Sequence, residues 1–335
     1  MTASLIQFVI SAVVIIGAGT ALTQFADIIS EKTKLGRLLV GSILLAGATS
    51  LPELSVDLSA VRMGLPNLAV GDLMGSSLFN LLILAVLDLT RYSYGRMLSQ
   101  VSAAHALSAS TSIALTAVAA LFIYLGPKLG GMNILGAGPG SIALLIAYLA
   151  GIRLIYFGQK VSIEQAEKEQ PNLIPGVQKW SLRGAIVGYV VSVGFIVVAA
   201  PFLARAADEL ATKSGLGGTF FGTTFVALCT SLPELVATLA AVRMKAFDLA
   251  IGNIFGSNCF NMALLFPLDL FYEGSLLASV SQTHVFTALC TILVTTVVIL
   301  GQLYRVEKKK PFLEPDALLA IFLIFAALSG IFFLR

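Results

Sequence analysis

Charge is what this sequence has least of: only 12% of its 335 residues are Asp, Glu, Lys or Arg, against 57% hydrophobic. That is roughly half the charged share of a soluble domain, and it implies a polytopic membrane protein. Histidine falls to two residues and cysteine to three. Cys229, Cys259 and Cys290 all sit in apolar stretches, without metal-ligand spacing or an even count, so they carry no sign of a disulfide framework or thiolate centre. The net charge of +3 is small, and the basic residues lie between apolar segments instead of gathering on one face, which excludes a nucleic-acid partner. No nucleophile–base pair and no cofactor loop is visible, so neither an enzyme nor a cofactor is expected. The first apolar stretch lacks a basic leader region and a small-residue cleavage pattern, so it is expected to stay in place as a helix.

What is present is apolar length. A bilayer-crossing helix needs about 20 mostly apolar residues, and ten such runs are predicted, at 5–27, 37–62, 67–89, 101–126, 133–157, 183–206, 217–243, 248–271, 279–304 and 315–334. The expected fold class is an all-α integral membrane protein. Only one break is long. It divides the chain into a first five-helix unit (1–157), a linker (158–182) whose "EQAEKEQ" reads as a solvated helix face, and a second five-helix unit (183–335). Counting basic residues on alternate sides of the spans puts Arg62, Lys128, Arg205, Lys213 and Arg335 with the termini and the other 16 of the 21 opposite. By the positive-inside rule the linker is cytoplasmic and both termini are extracytoplasmic.

A shift of 181 residues lays "TSLPELSVDLSAVRMGLPNLAVGDLMGSSLFN" (49–80) on "TSLPELVATLAAVRMKAFDLAIGNIFGSNCFN" (230–261) without a gap. Pro52 falls on Pro233, Glu53 on Glu234, Gly75 on Gly256 and Asn80 on Asn261; His105 falls on His284 after a two-residue offset. Five spans per half is odd, so the second copy enters the membrane from the other side, giving the inverted repeats common among secondary transporters.

The repeated block carries its own chemistry. Pro52 has no N–H to donate and displaces the carbonyl of Ala48, and Pro233 does the same to Cys229. Freed carbonyls are tolerated at membrane depth only against protein or around a polar cavity. Around the first break Ala46, Thr49 or Ser50, Glu53 and Asp57 recur at spacings of three and four on one stripe. Asp72, Ser76 and Asn80 form another on the third span, where Gly71 and Gly75 are expected to admit a neighbouring helix. The second half repeats this with Ala227, Thr230, Ser231, Glu234, Asn253, Ser257 and Asn261. Nearly every side chain offers oxygen, and none is His or Cys, so hard cations are favoured over transition metals. Calcium takes six to eight oxygens, and two glutamates balance its charge; sodium is similar in size. An ionised group at mid-membrane costs about 2.5–3.5 kcal/mol, so an empty, charged pair is disfavoured, as an antiporter requires.

These two blocks resemble those of the sodium/calcium exchanger family of the calcium/cation antiporter superfamily. The resemblance implies inverted repeats, with four cation sites between the second, third, seventh and eighth spans. It also implies alternating access by sliding of the first and sixth spans, with Ca²⁺ and Na⁺ as the transported ions. By motif position, Glu53 and Glu234 become the central ligands. Thr49, Ser50, Thr230 and Ser231 supply hydroxyl or carbonyl oxygens, Ser76 and Ser257 complete outer sodium sites, Asn80 and Asn261 line the middle, and the carbonyls of Ala46 and Ala227 cap. Three departures stand out. Sodium-exchanging members often carry aspartate where this chain has Asn261. Asp57 and Asp72 are extra carboxylates, placed to restore that charge, alter selectivity or sit at the outer mouth. The proton-coupled branch usually has "GNA" where this chain has "TSLP", which favours sodium. The linker is too short for the regulatory calcium-binding domains of animal relatives. An H⁺/Ca²⁺ antiporter and a cation channel remain alternatives.

Elsewhere the structural readings lead. Asp27, Asp88, Asp208 and Asp269 are expected to be interfacial or capping residues, and His105 and His284 to hydrogen-bond at the membrane surface.

Overall fold

The computed structural model describes residues 2–89, 103–129, 132–134, 136–166, 180–213, 230–304 and 315–333. Among them nearly all regular structure is helical, as hydrocarbon demands of a spanning chain, since a helix satisfies its backbone groups internally. The first span is Thr2–Thr33, the third Pro66–Asp88, the fourth Ala103–Leu129 and the fifth Pro139–Ala166; the sixth is Leu182–Lys213, the eighth Phe247–Leu270, the ninth Thr283–Tyr304 and the tenth Pro315–Phe333. The second is a bent pair, Arg37–Thr49 and Leu51–Arg62, and of the seventh the described helix is Leu232–Arg243. The protein is an all-α integral membrane protein of ten spans in two inverted five-helix repeats. Several helices outrun their apolar cores: the first extends six residues past the expected 27, through Ile28 and Ile29 and then four polar residues that continue the helix but not the hydrophobic run.

The repeat is written in backbone angles. Ser50 has φ −89°, ψ 3° and Ser231 has φ −82°, ψ 6°, the same helix break in both halves. After the broken helix, Gly64 and its counterpart Lys245 both turn left-handed, at φ 73° and 58°. Leu65 (φ −111°, ψ 59°) and Ala246 (φ −89°, ψ 62°) then start the third and eighth spans alike. A lysine held at positive φ where the other half uses glycine shows that the turn is kept even at some steric cost.

The eighth span is the axle of the molecule: it is buried on nearly every side, touching the second, third, fourth, fifth and seventh spans. Its approach to the second span is backbone to backbone. A Cβ at Gly41 would stand 2.6 Å from the Leu249 carbonyl, one at Gly252 2.5 Å from the Leu38 carbonyl, and one at Gly256 would overlap the Ser42 backbone. Small residues four apart allow such close crossings in membranes, where apolar surface alone gives helices no reason to associate. At Gly71 and Gly75 the close approach expected of the third span is not tested by the described residues: the positions that correspond to Gly41 and Ser42 in the second half, 222 and 223, lie outside them. Among the described residues Gly71 faces the His284 ring at 3.3 Å, and no atom lies within 4 Å of a Cβ built on Gly75.

The first and sixth spans pack along each other at the side of this core. Ser4 Oγ donates to Glu209 Oε2 at 2.6 Å and Gln7 Nε2 to the Phe202 carbonyl at 3.0 Å. Their outward faces are apolar and open, with Val13 and Val187 each more than 60% exposed, which suits contact with lipid.

Candidate cation site

The second span is not one helix with a kink but three local structures in succession. Arg37–Val40 is α-helical, Gly41–Leu45 is a π-helical turn, and Ala46–Thr49 returns to α before the chain breaks at Ser50 and restarts at Leu51, bent by 44°. Pro52 occupies the first turn of the new helix, where its missing N–H is tolerated. A π-turn followed by a proline break leaves carbonyls without their usual donors, and such turns gather at functional sites. The Ala46 carbonyl accepts from Ser50 N at 3.0 Å and from Thr49 Oγ1 at 3.2 Å. Glu53 then falls in the first turn of the restarted helix, and Glu234 holds the same place in the seventh span.

The breaks bring the halves together. Ser50 Oγ donates to Glu234 Oε1 at 3.2 Å, joining the second span to the seventh. Ser231 Oγ lies 3.4 Å from Ser76 Oγ, joining the seventh to the third, and Thr49 Oγ1 is 3.5 Å from Asn253 Oδ1 on the eighth. Glu53 and Glu234 are near enough for their charges to repel. Thr49, Ser50, Glu53, Ser76, Asn80, Thr230, Ser231, Glu234, Ser257 and Asn261 are all 2% exposed or less. Ala227 lies outside the described residues.

Five buried oxygens in this group have no donor: Glu53 Oε2, Glu234 Oε2, Asn80 Oδ1, Asn261 Oδ1 and Ser257 Oγ. They come from the second, seventh, third and eighth spans. Buried polar atoms are nearly always hydrogen-bonded, and an unpartnered acceptor is among the most expensive things to leave in a membrane interior. Two carboxylate and three neutral oxygens without donors, drawn from four spans of both halves, are acceptors of the kind a hard cation takes; this group is the candidate cradle. Among the described residues no group of three or more His, Cys, Asp or Glu side chains converges as a resident metal centre would require.

The sequence did not single out Asn258. Its Oδ1 accepts from Asn80 Nδ2 at 3.0 Å, and its Nδ2 donates to the Ser77 carbonyl at 3.2 Å. Ser77 is its own counterpart in the first half, so the two meet on the pseudo-two-fold axis. Asn258 therefore holds the amide nitrogen of Asn80, whose Oδ1 is left without a donor. The signal was the mismatch "GSN" against "GSS", the one place after the shared "GS" where the second copy adds a side-chain amide.

Asp27 and Asp269 tie elements of the fold together. Asp27, 1% exposed, receives Arg37 Nε at 2.5 Å and Nη2 at 3.2 Å, tying the first span to the start of the second. Asp269 accepts from Gly138 N and Leu276 N, both at 2.6 Å, and from Ser141 Oγ, so it caps the short Leu276–Ser279 helix. Asp88 is buried, and the side chain of Asp208 is outside the described set. His105 Nε2 meets Asp248 Oδ1 at 2.8 Å, and His284 Nε2 meets Asn67 Oδ1 at 3.2 Å, related contacts at opposite ends of the bundle.

Inverted repeats around a buried, oxygen-lined cradle on broken helices define a membrane cation transporter, not an enzyme. The chain matches the sodium/calcium exchanger protein family over residues 3–157 and 184–330, and it belongs to that family. It is 26% identical over 313 residues to the putative antiporter CaxA of Alkalimonas amylolytica, covering 92% of this chain and 94% of that one. A shorter match, 41% over 87 residues and about a quarter of each chain, is to the sodium/calcium exchanger MaX1 of Methanosarcina acetivorans. In structure the chain is similar to the sodium-calcium exchanger NCX_Mj soaked with zero Na⁺ and Ca²⁺, with a TM-score of 0.73 at 18% identity over 98% of this chain and 99% of that one.

Proposed function

We propose that the protein is a secondary active antiporter exchanging Ca²⁺ for Na⁺ by alternating access, in a prokaryotic plasma membrane with both termini outside. The observation that carries this is the set of five donorless buried oxygens shared by the two halves. Glu53 and Glu234 bind Ca²⁺ between them. Ser50, Ser231, Thr49 and Thr230 lend hydroxyl or carbonyl oxygen at the breaks, Ser76 and Ser257 complete flanking Na⁺ positions, Asn80 and Asn261 line the centre, and the Ala46 and Ala227 carbonyls cap. The two halves, 1–157 and 183–335, are joined by a cytoplasmic linker at 158–182.

The electrostatics favour exchange over leak. With no cation, two ionised glutamates at mid-membrane cost roughly 5–7 kcal/mol, so the unloaded protein resists passing its site from one face to the other. One Ca²⁺ or several Na⁺ removes that cost. The first and sixth spans are suited to be the moving part, because they pack on each other beside the core and present apolar faces to lipid. If three Na⁺ balance one Ca²⁺, a net charge crosses, and about 2.3 kcal/mol per 100 mV drives the cycle.

The test is ⁴⁵Ca²⁺ entry into Na⁺-loaded proteoliposomes diluted into Na⁺-free buffer, with and without a pH gradient. Uptake driven by Na⁺ alone is the expected result. Uptake that needs the pH gradient replaces Na⁺ by H⁺ as the counter-ion, and a steady Ca²⁺ current without any counter-ion makes the protein a channel.

A further inference from the structure

Two further acids adjoin the glutamates: Asp72 is near enough for its charge to act on both Glu53 and Glu234, and Asp57 near enough to act on Glu53. Asp57 lies one turn beyond Glu53 on the second span, and Asp72 one turn before Ser76 on the third. Their side chains face each other within hydrogen-bonding reach. Asp57 is fully buried, at 0% exposure, and neither of its carboxylate oxygens has a donor; nor does Asp72 Oδ2. Neither acid takes part in an ion pair among the described residues.

The second half shows what this position looks like when satisfied. The counterparts 181 residues on are Thr238 and Asn253, and Asn253 Nδ2 donates to Thr238 Oγ1 at 3.0 Å. On the same backbone geometry one half closes a neutral donor–acceptor contact, while the other sets two acceptors against each other. A purely structural contact would be served by the neutral pair, which the fold demonstrably accommodates. What the acidic pair lacks is one positive charge between the carboxylates. Among the described residues no third acidic, histidine or cysteine side chain is placed to share a metal with them, although Glu53 and Glu234 lie within electrostatic reach, so the pair by itself falls short of the six to eight oxygens of a divalent ion.

We propose that Asp57 and Asp72 form a second binding site, for one monovalent cation, Na⁺ or H⁺, distinct from the divalent site between Glu53 and Glu234. It deepens the exchanger reading and rests on it only for its role in transport; occupancy can be tested without any flux. The pair adds on the second and third spans the negative charge that Asn261 does not supply on the eighth.

The experiment is infrared difference spectroscopy on the full-length protein in lipid, Na⁺-free against Na⁺-saturated at constant pH. Wild type is compared with Asp57→Thr/Asp72→Asn, which installs the second half's own neutral pair and so keeps a contact the fold already makes. A carboxylate band that shifts with Na⁺ in wild type and is missing from the variant assigns the cation as Na⁺. A protonated-carboxyl band in Na⁺-free wild type that the variant lacks assigns it as H⁺. The absence of both differences, with the variant melting normally, overturns the proposal. A variant that does not fold is replaced by Asp57→Asn alone, which removes one charge and must lose the same band. Failure of Na⁺-driven ⁴⁵Ca²⁺ uptake in wild type overturns the exchanger reading and leaves these spectra unaffected.

Discussion

Replacing both central glutamates, Glu53→Gln with Glu234→Gln, gives a prediction whose sign runs against the usual effect of mutating a buried residue. Glutamine keeps the shape and the acceptor Oε1, so the bond from Ser50 Oγ to residue 234 survives. What it removes is two charges held 1% exposed, each with one oxygen that no donor reaches. In wild type without cations those charges cost up to about 5–7 kcal/mol if both are ionised, and a proton on either lowers the figure. The ion-free variant is therefore expected to melt at or above the temperature of ion-free wild type. Adding Ca²⁺ at 100 times its Kd stabilises wild type by about 2.7 kcal/mol. At about 2 °C per kcal/mol for a chain of this size, the melt rises by about 5 °C. The variant should show no rise. Thermal melts of detergent-purified protein, with and without Ca²⁺, measure both numbers. An undiminished Ca²⁺ shift in the double variant would refute the site, and an ion-free variant melting far below wild type would refute the charge argument.

Gly256→Leu is expected to lower the melting temperature by the equivalent of about 1–3 kcal/mol and to slow ⁴⁵Ca²⁺ uptake without touching an oxygen, because its side chain would strike the Ser42 backbone. Gly17→Ala, where no atom of the described residues lies within 4 Å of the added Cβ, is the matched control and should do neither. Pro52→Ala restores an N–H for the Ala48 carbonyl and should straighten the break. Uptake should then fall at least tenfold while thermal stability holds or rises, whereas unchanged uptake would show that the break is not needed. Arg37→Gln strands the buried Asp27 carboxylate. Its cost should be about 1–3 kcal/mol, below the 3–5 of a fully buried pair because the arginine is 34% exposed; a urea or thermal titration reads it.

Much of this architecture is legible in the residues because the repeat doubles every signal. A lone Pro-Glu in an apolar run says little; the same pair 181 positions later, with an odd number of spans between, fixes both the inversion and the two sides of the site. The break at Ser50 and the burial of both glutamates follow from proline chemistry and from the expense of charge in lipid. The π-turn at Gly41–Leu45 was not legible, since one extra residue in a helical turn leaves no mark on composition or periodicity. The crossing of Gly41 with Gly252 and Gly256 was missed for a related reason. A glycine pair shows that a close approach is possible, but the partner is set by tertiary packing.

Where the two halves differ, the difference is itself chemical information, because the backbone is held constant. At the turn after the broken helix, Gly64 and Lys245 share a conformation that only glycine adopts without strain, so position there is governed by geometry and the side chain is incidental. At the pairs Asn67 with His284 and Asp248 with His105, the contact is kept and the charge is changed. One end of the bundle thus has a neutral amide on its histidine and the other a carboxylate. An inverted repeat whose halves were chemically identical would present the same energy facing either way. Each charge that one half holds and the other lacks would tilt that balance, so in an alternating-access exchanger these asymmetric pairs are where a preference for one facing state is expected to arise.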